Sequence, residues 1–167
     1  MALAILLPGR AFAYERILSL DVDLGWGWAP TLDAPNHGPT GGVGTSIGFD
    51  DTWGLGLYGG WAVHPILTEA DDQVFQIGLF GAEALYYFDI LELVPFFGAG
   101  IDVVPSFDGT TWRADFAAHL RVSIDYLLSR EFAIGVDVRP YLLITALPDL
   151  NPVYLTFQLR FSALLEY

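Results

Sequence analysis

Glu83, His119 and Ser123 supply the side-chain types of a hydrolytic triad. A serine nucleophile needs a histidine within hydrogen-bonding reach to accept its proton, and an acid to orient that histidine. His119 and Ser123 fall on one predicted strand, where a spacing of four residues corresponds to about 13 Å. Since that separation is far too long for proton transfer, the sequence predicts no catalytic residues and no enzymatic activity.

Acidic residues in the predicted loops are a second candidate for chemistry, because Ca²⁺ and Mg²⁺ prefer oxygen ligands. Their spacing matches no known calcium-binding loop, and a solvated, repulsive surface is the simpler interpretation. We therefore predict no metal site and no cofactor, and leave divalent-cation binding open as an alternative. The residues concerned are Asp33, Glu69, Asp71, Asp72, Asp108 and Asp149.

The elements that must position these residues show a two-residue periodicity. In segment 18–28 one face is apolar and ends in Trp26 and Trp28, whereas the other carries Asp21 and Asp23. This alternation is typical of a β-strand with two different faces. Similar segments recur along the chain and predict eight strands, at 16–28, 41–50, 52–64, 73–88, 93–104, 112–126, 131–144 and 152–162.

The composition indicates where such strands lie. Hydrophobic residues make up 53% of the 167 residues and the mean hydropathy is +0.45, yet no run resembles a membrane helix of about 20 apolar residues. This combination is typical of a transmembrane β-barrel, whose signal is weak in each segment. The net charge of −13 disfavours nucleic acid as a partner, and the absence of cysteine excludes disulfides.

The N-terminal segment resembles an export signal. A short apolar run precedes a small-x-small pattern at 11–13, similar to a signal-peptidase site. We expect residues 1–13 to be a signal peptide, shortened at its basic end, and residues 14–167 to form the barrel.

The predicted connections alternate in length. Longer loops are expected at 29–40, 65–72, 105–111 and 145–151, and shorter turns around 50–51, 89–92 and 127–130. Outer-membrane barrels pair long extracellular loops with short periplasmic turns. His37 falls in the first predicted loop and His64 at the boundary between the third predicted strand and the loop that follows; both are treated as single loop residues, and we assign no role to either.

A soluble barrel would turn its apolar face inward, but the other face is too rich in glycine to form a charged exterior. We therefore expect the polar face to line the lumen. There, long charged side chains are predicted to reach across the lumen and pack over the bare glycine backbone opposite. The predicted lumen network comprises Asp21, Asp23, Glu83, Asp102, Asp115, His119, Arg121, Asp125, Asp137, Arg139, Gln158 and Arg160.

Two local details follow from this assignment. A turn that pairs Tyr126 with Phe132 would place Arg121 opposite Asp137 and His119 opposite Arg139. In the fourth strand, an inward Gln76 and Gly78 would turn Glu83 toward lipid, so we predict a β-bulge between Gly78 and Gly81 that returns Glu83 to the lumen.

Aromatic residues gather near the predicted strand ends. Two aromatic belts are typical of barrels at the two membrane interfaces. The predicted girdle comprises Trp26, Trp28, Trp53, Trp61, Trp112, Tyr126, Phe132 and Phe161.

Two segments carry a resemblance to a known family. Residues 81–104 and 121–143 each read as strand, short turn and strand, with aromatic residues before the turn and a glycine-containing return strand. In this form the chain resembles the eight-stranded outer-membrane barrels, the OmpA- and OmpX-like membrane domains. The resemblance implies an all-β, eight-stranded, antiparallel up-and-down transmembrane barrel in the outer membrane of a Gram-negative-type cell, exported through the periplasm.

The resemblance implies a fold but no single function, because this family includes anchors, adhesins, small channels and enzymes. The favoured interpretation is a structural or surface-interaction role, with the lumen plugged by charged side chains. A channel for small solutes or hydrophobic compounds is the alternative, and a lipid-modifying enzyme is a third. The partners implied by the resemblance are the lipid bilayer, lipopolysaccharide and the barrel-assembly machinery, with a monomeric chain.

Overall fold

The described part of the chain forms eight β-strands. The computed structural model describes residues 16–30, 37–68, 71–88, 92–145 and 153–167, so the predicted signal peptide at 1–13 lies outside the described residues. The strands are β1 (Ile17–Trp28), β2 (His37–Gly48), β3 (Trp53–Thr68), β4 (Asp71–Tyr87), β5 (Leu93–Phe107), β6 (Trp112–Leu127), β7 (Phe132–Leu143) and β8 (Val153–Glu166).

The strands form a closed antiparallel barrel in which each pairs with its neighbour in sequence. β8 closes the barrel on β1 along a register that runs from Ile17 opposite Glu166 to Trp28 opposite Leu155. Closure leaves no exposed sheet edge, as a strand-built membrane span requires. The predicted fold class, an eight-stranded up-and-down transmembrane barrel, is therefore confirmed.

Outward-facing residues are mostly apolar. Leu20, Leu57, Ile101 and Leu120 are 48%, 61%, 72% and 60% exposed, whereas the inward-facing charged side chains of Asp21, Asp102 and Arg121 are buried. Such an exterior suits hydrocarbon rather than water, which rules out the soluble arrangement with its apolar face inward. No helix among the described residues is long and apolar enough to cross a membrane.

The connection between β3 and β4 is shorter than predicted. β3 continues to Thr68 and β4 begins at Asp71, so the predicted loop at 65–72 is wrong. Pro65 lies within the ladder opposite Val74 and faces outward. His64 consequently lies on a strand and is buried inside the barrel, not in a loop. His37 likewise begins β2 rather than lying in a loop.

The predicted bulge in β4 is also wrong. Pairing of β4 with β3 is continuous from Trp53–Tyr86 to Thr68–Asp71, and the register with β5 is the same on both sides of the predicted bulge. Glu83 still faces inward, because Gln76 and Gly78 face outward. The prediction failed since β4 carries apolar residues on both faces at its start, with Ile77 and Leu79 inside.

Candidate functional site

The barrel interior contains every residue of the predicted lumen network. None of the twelve is more than 9% exposed. Alternation along each strand explains this placement, because residues two apart share a face. The interior is therefore the place where charge is concentrated, within a wall whose outer face is apolar.

An ion-paired chain crosses the lumen from β4 to β1. Glu83 Oε1 lies 2.5 Å from Arg121 Nη1, and Arg121 Nε lies 2.5 Å from Asp137 Oδ2. Asp137 Oδ2 is also 3.1 Å from Arg139 Nε, and Arg139 Nη2 is 3.4 Å from Asp23 Oδ2. Five residues on four strands thus form one network, which is called the central ion network below.

His119 joins this network from the side. Its Nδ1 lies 2.7 Å from Asp102 Oδ2 and its Nε2 lies 3.1 Å from Glu83 Oε2. The hydroxyl of Tyr58 donates to Asp102 as well. Both ring nitrogens of His119 therefore face carboxylates, which fixes the orientation of the ring.

Aromatic rings support the three interior guanidinium groups. Arg139 lies over the ring of Tyr58 at 4.4 Å. Arg121 and Arg160 lie over Phe96 at 5.0 and 4.5 Å, and Arg160 is paired with Asp125. A planar guanidinium interacts favourably with an aromatic face while its edge binds carboxylates. Tyr58 and Phe96 were not among the predicted interior residues, although their inward phase along β3 and β5 could have indicated them.

Bare backbone makes room for these side chains. A Cβ on Gly98 would lie 2.9 Å from Glu83 Oε2 and 3.0 Å from the Arg121 Cβ. A Cβ on Gly56 would lie 3.1 Å from the Glu83 Cγ. Glu83 of β4 covers Gly56 of β3 and Gly98 of β5. These glycines lie on the two strands next to β4 and not, as predicted, on the opposite wall of the barrel.

Apolar clusters lie on both sides of the central ion network along the barrel axis. Near the short turns the buried residues are Leu85, Tyr87, Val94, Phe96, Ala133 and Leu164. Near the longer loops they are Ala29, Ala62, Ile77, Leu79, Val104, Ala117, Tyr141 and Tyr154. His64 joins the second cluster through a 3.0 Å hydrogen bond to the Tyr154 hydroxyl. The interior is thus layered along the barrel axis.

The predicted register of β6 with β7 is wrong by two residues. Tyr126 pairs with Ile134 rather than with Phe132, and Asp137 lies opposite Ser123. His119 correspondingly lies opposite Tyr141, not Arg139. Arg121 nevertheless reaches Asp137 diagonally, because a shift of two leaves every side chain on its original face.

Glu83, His119 and Ser123 all lie inside the barrel, but the serine has other partners. Ser123 Oγ donates to Asp137 Oδ2 at 3.2 Å and accepts from Arg121 Nε at 3.2 Å. The two nitrogens of His119 are taken by Asp102 and Glu83. This arrangement orients charges but does not align a nucleophile with a base.

The predicted girdle residues face outward. Trp26, Trp28, Trp53, Trp112, Tyr126, Phe132 and Phe161 are 40–60% exposed, and Trp61 is half-buried. Trp61 lies 6.4 Å from Trp112 between ring centroids, at the loop side. At the turn side, edge contacts of 4.9 to 5.6 Å link Trp53, Tyr86, Phe88 and Phe97. Phe161 differs from the other predicted girdle residues in its position along the barrel axis. It pairs with Val22 in the middle of β1 and so does not lie at a strand end.

Asp108 is the acidic residue of the loop between β5 and β6. Its Oδ1 accepts from the backbone N–H groups of Thr110 and Thr111 at 2.9 and 2.7 Å. These bonds hold the pKa of Asp108 below its usual value. Asp33, Glu69 and Asp149 lie outside the described residues, as do the side chains of Asp71 and Asp72. Among described residues no cluster of three or more acidic, histidine or cysteine side chains could hold a metal ion.

Solved structures with the same fold come from several bacteria. The outer membrane protein OprG of Pseudomonas aeruginosa superposes with a TM-score of 0.67 at 11% identity, covering 93% of this chain and 99% of that one. Neisserial surface protein A gives 0.64 at 12% identity, covering 90% and 96%. The outer membrane enzyme PagL gives 0.52 at 17% identity, covering 86% and 97%. No family model and no curated protein matches the sequence.

Proposed function

Because the chain has the fold of the eight-stranded outer-membrane barrels, we propose that it is an outer-membrane protein with a structural or surface-interaction role, whose lumen is closed by charged side chains. The similar structures include a surface protein and an enzyme, so the fold alone does not assign the role. The choice depends on what the interior and exterior of this chain can do.

The central ion network is the observation that carries the proposal. It runs from Glu83 through Arg121, Asp137 and Arg139 to Asp23 and so extends from one wall of the barrel to another. An eight-stranded barrel is only wide enough for side chains to fill it. Paired charges that occupy this width would exclude solutes, since separating them would leave charge uncompensated in a buried site.

The apolar clusters above and below the central ion network add to this barrier. Tyr141 and Tyr154 are buried on the loop side, and Phe96 and Leu85 on the turn side. A hydrated ion that entered from either side would therefore meet an apolar constriction before it reached the central ion network. Dewetted constrictions of this kind oppose conduction.

The exterior fits an anchor in the outer membrane. The short turns would lie in the periplasm and the longer loops outside, with the bilayer and lipopolysaccharide as neighbours. Acidic loops would meet the anionic lipopolysaccharide surface only through cations or through basic partners. Assembly would use the barrel-assembly machinery, as for other barrels of this class.

A small-solute channel is the second candidate. A narrow void lies beside Asp23 and Arg139, lined in part by Gly42 and Gly60. These glycines leave the β2–β3 wall without side chains at this level. Movement of Arg139 away from Asp23 would enlarge this void, and this is why conduction must be measured directly.

We propose no enzymatic role, on the basis of the interior hydrogen bonds. Ser123 is bonded to Asp137 and Arg121, and His119 is bonded to two carboxylates. Any reaction at these groups would also require a substrate to enter a packed lumen.

Single-channel recording in planar bilayers tests the proposal. The refolded protein should give no discrete conductance steps under conditions in which a general porin conducts. A variant with all five residues of the central ion network, Asp23, Glu83, Arg121, Asp137 and Arg139, replaced by alanine should give steps, because the ion pairs that cross the lumen are then removed together and none of the five is left without its partner. Regular steps from the unmodified chain would refute a closed lumen and favour the channel.

A further inference from the structure

Asp21 differs from the other carboxylates inside the barrel. Asp23, Glu83, Asp102, Asp125 and Asp137 each contact an arginine or histidine, and Asp115 lies 3.9 Å from Arg113. Among the described residues, Asp21 alone of the seven interior carboxylates has no cationic partner within ion-pair distance. It is only 6% exposed.

The surroundings of Asp21 consist of hydroxyl groups and bare backbone. Ser19 Oγ donates to Asp21 Oδ2 at 3.1 Å and is itself 2.7 Å from Ser46 Oγ. Across the β1–β8 pair, Ser162 lies directly opposite Asp21, and on the β2 side Gly44 does. A Cβ on Gly44 would still be 3.6 Å from Asp21 Oδ2, so this wall leaves space beside the carboxylate.

Two oxygen atoms at this place lack hydrogen-bond partners. They are Asp21 Oδ1 and Ser162 Oγ, both on buried side chains that face the interior from adjacent strands. Directly opposed residues on paired strands have Cβ atoms about 4.5–5.5 Å apart. The two side chains therefore start close enough together for one small ligand to lie between them, and neither oxygen has a hydrogen-bond partner.

A buried carboxylate without a counter-charge is strongly unfavourable. The nearest interior guanidinium along the β1–β8 pair is that of Arg160, which stands opposite Asp23 and is directed to Asp125. Asp21 carries one negative charge, and its neighbours are neutral hydroxyl groups. A single positive charge bound by these hard oxygen ligands would therefore balance the site. A divalent ion would prefer more carboxylates than this place offers.

We propose that Asp21 and Ser162 form an interior binding site for a monovalent alkali cation of the sodium type. Asp21 Oδ1 and Ser162 Oγ are its protein ligands, and water completes the coordination shell on the Gly44 side. The cation neutralises the one interior carboxylate of the described residues that no arginine or histidine contacts. The site is independent of whether the lumen conducts.

Refolding in matched salts tests the site. The full chain is refolded in detergent with sodium chloride or with choline chloride at equal ionic strength, and its thermal midpoint is read from heat-modifiable gel mobility. A saturable increase of about 5 °C in sodium over choline is expected, because a ligand that binds only the folded state stabilises it. Equal midpoints in the two salts would overturn the proposal.

Matched variants distinguish a specific site from a general salt effect. Asp21→Asn should have the same midpoint in both salts, whereas Asp51→Asn, at an exposed turn position, should retain the sodium response. Ser162→Ala should weaken the response and provides a second measurement if Asp21→Asn fails to fold. A sodium response that persists in both Asp21→Asn and Ser162→Ala would contradict the site.

Direct retention of radioactive sodium gives a readout that does not depend on stability. The protein refolded with the isotope should keep about one ion per barrel after rapid desalting, as expected for a single saturable site. Asp21→Asn should keep none. A protonated Asp21 would give no retention at any sodium concentration, and that result would refute the proposal.

Discussion

Glu83 and Arg121 are in direct contact, with 2.5 Å between Oε1 and Nη1, although β5 lies between their strands. Gly98 of β5 lies beneath this contact, because it pairs with Leu85 on one side and with Arg121 on the other. The absence of a side chain at Gly98 is what allows the carboxylate and the guanidinium to meet over the intervening strand.

Gly98→Val should therefore destabilise the barrel. Its Cβ would lie 2.9 Å from Glu83 Oε2, and overpacking of this kind costs about 1–3 kcal/mol. The measurement is the urea midpoint of the folded barrel. Ala99→Val, at an exposed position one residue further on, is the matched control and should change the midpoint little. Equal effects at the two positions would contradict the role of Gly98.

Arg121→Ala should lower the unfolding free energy by about 3–5 kcal/mol, which is more than Gly98→Val, because it leaves buried carboxylates without their positively charged partner. Glu83 and Asp137 would both lose a partner at 2.5 Å. Equilibrium unfolding measures the loss, and Arg130→Ala in the exposed β6–β7 turn is the control. Combining Arg121→Met with Glu83→Gln should recover part of the stability; a double variant no better than the single one would argue against charge pairing as the cause.

A charge on the outer face should be tolerated only at the barrel ends. Val122 is 48% exposed in β6, with lipid as its expected neighbour, so Val122→Arg should destabilise by about 2–4 kcal/mol. Leu128, 62% exposed in the adjoining turn, offers the depth control, and Leu128→Arg should cost about 0–1 kcal/mol. Both are measured as unfolding free energy in bilayers. Indifference at Val122 would be inconsistent with a membrane-embedded wall.

The loop between β5 and β6 should depend on the Asp108 carboxylate. Asp108→Ala removes the acceptor for Thr110 and Thr111, so the amide NMR signals of these residues should shift and broaden while strand signals stay fixed. Asp108→Asn keeps an acceptor and should preserve most of the order. Unchanged loop signals in Asp108→Ala would show that the turn forms without the carboxylate.

The same loop should respond to acid. The N–H groups of Thr111 and Thr110 hold the pKa of Asp108 below its ordinary value. Its contribution to loop order is therefore complete at neutral pH, persists through the ordinary pKa of an aspartate, and is lost as the pH falls through the lowered value.

Alternation in the sequence predicted the strands and their faces, because the side-chain period of two survives small errors at strand ends. It could not predict register. Tyr126 pairs with Ile134 instead of Phe132, and both choices put the same side chains inside. Only the geometry of the turn at 128–131 distinguishes them.

Prolines and mixed faces account for the other differences. Pro65 suggested a loop, yet it lies within β3 opposite Val74. At the start of β4, Ile77 and Leu79 are apolar but inward, which inverted the predicted phase and produced an unnecessary bulge. The pairing of Glu83 with Arg121 across β5 joins distant segments, so no local pattern could have revealed it.

Quenching of the native tryptophans by brominated lipids tests the central claim most directly. Trp26, Trp28, Trp53 and Trp112 are 40–60% exposed on the outer face and Trp61 is half-buried there, which accounts for all five tryptophans. The refolded barrel in vesicles of brominated phosphatidylcholine should lose most of its fluorescence relative to unbrominated vesicles. Fluorescence that is unaffected by the bromine atoms would mean that the apolar face does not contact lipid, and would contradict a transmembrane barrel.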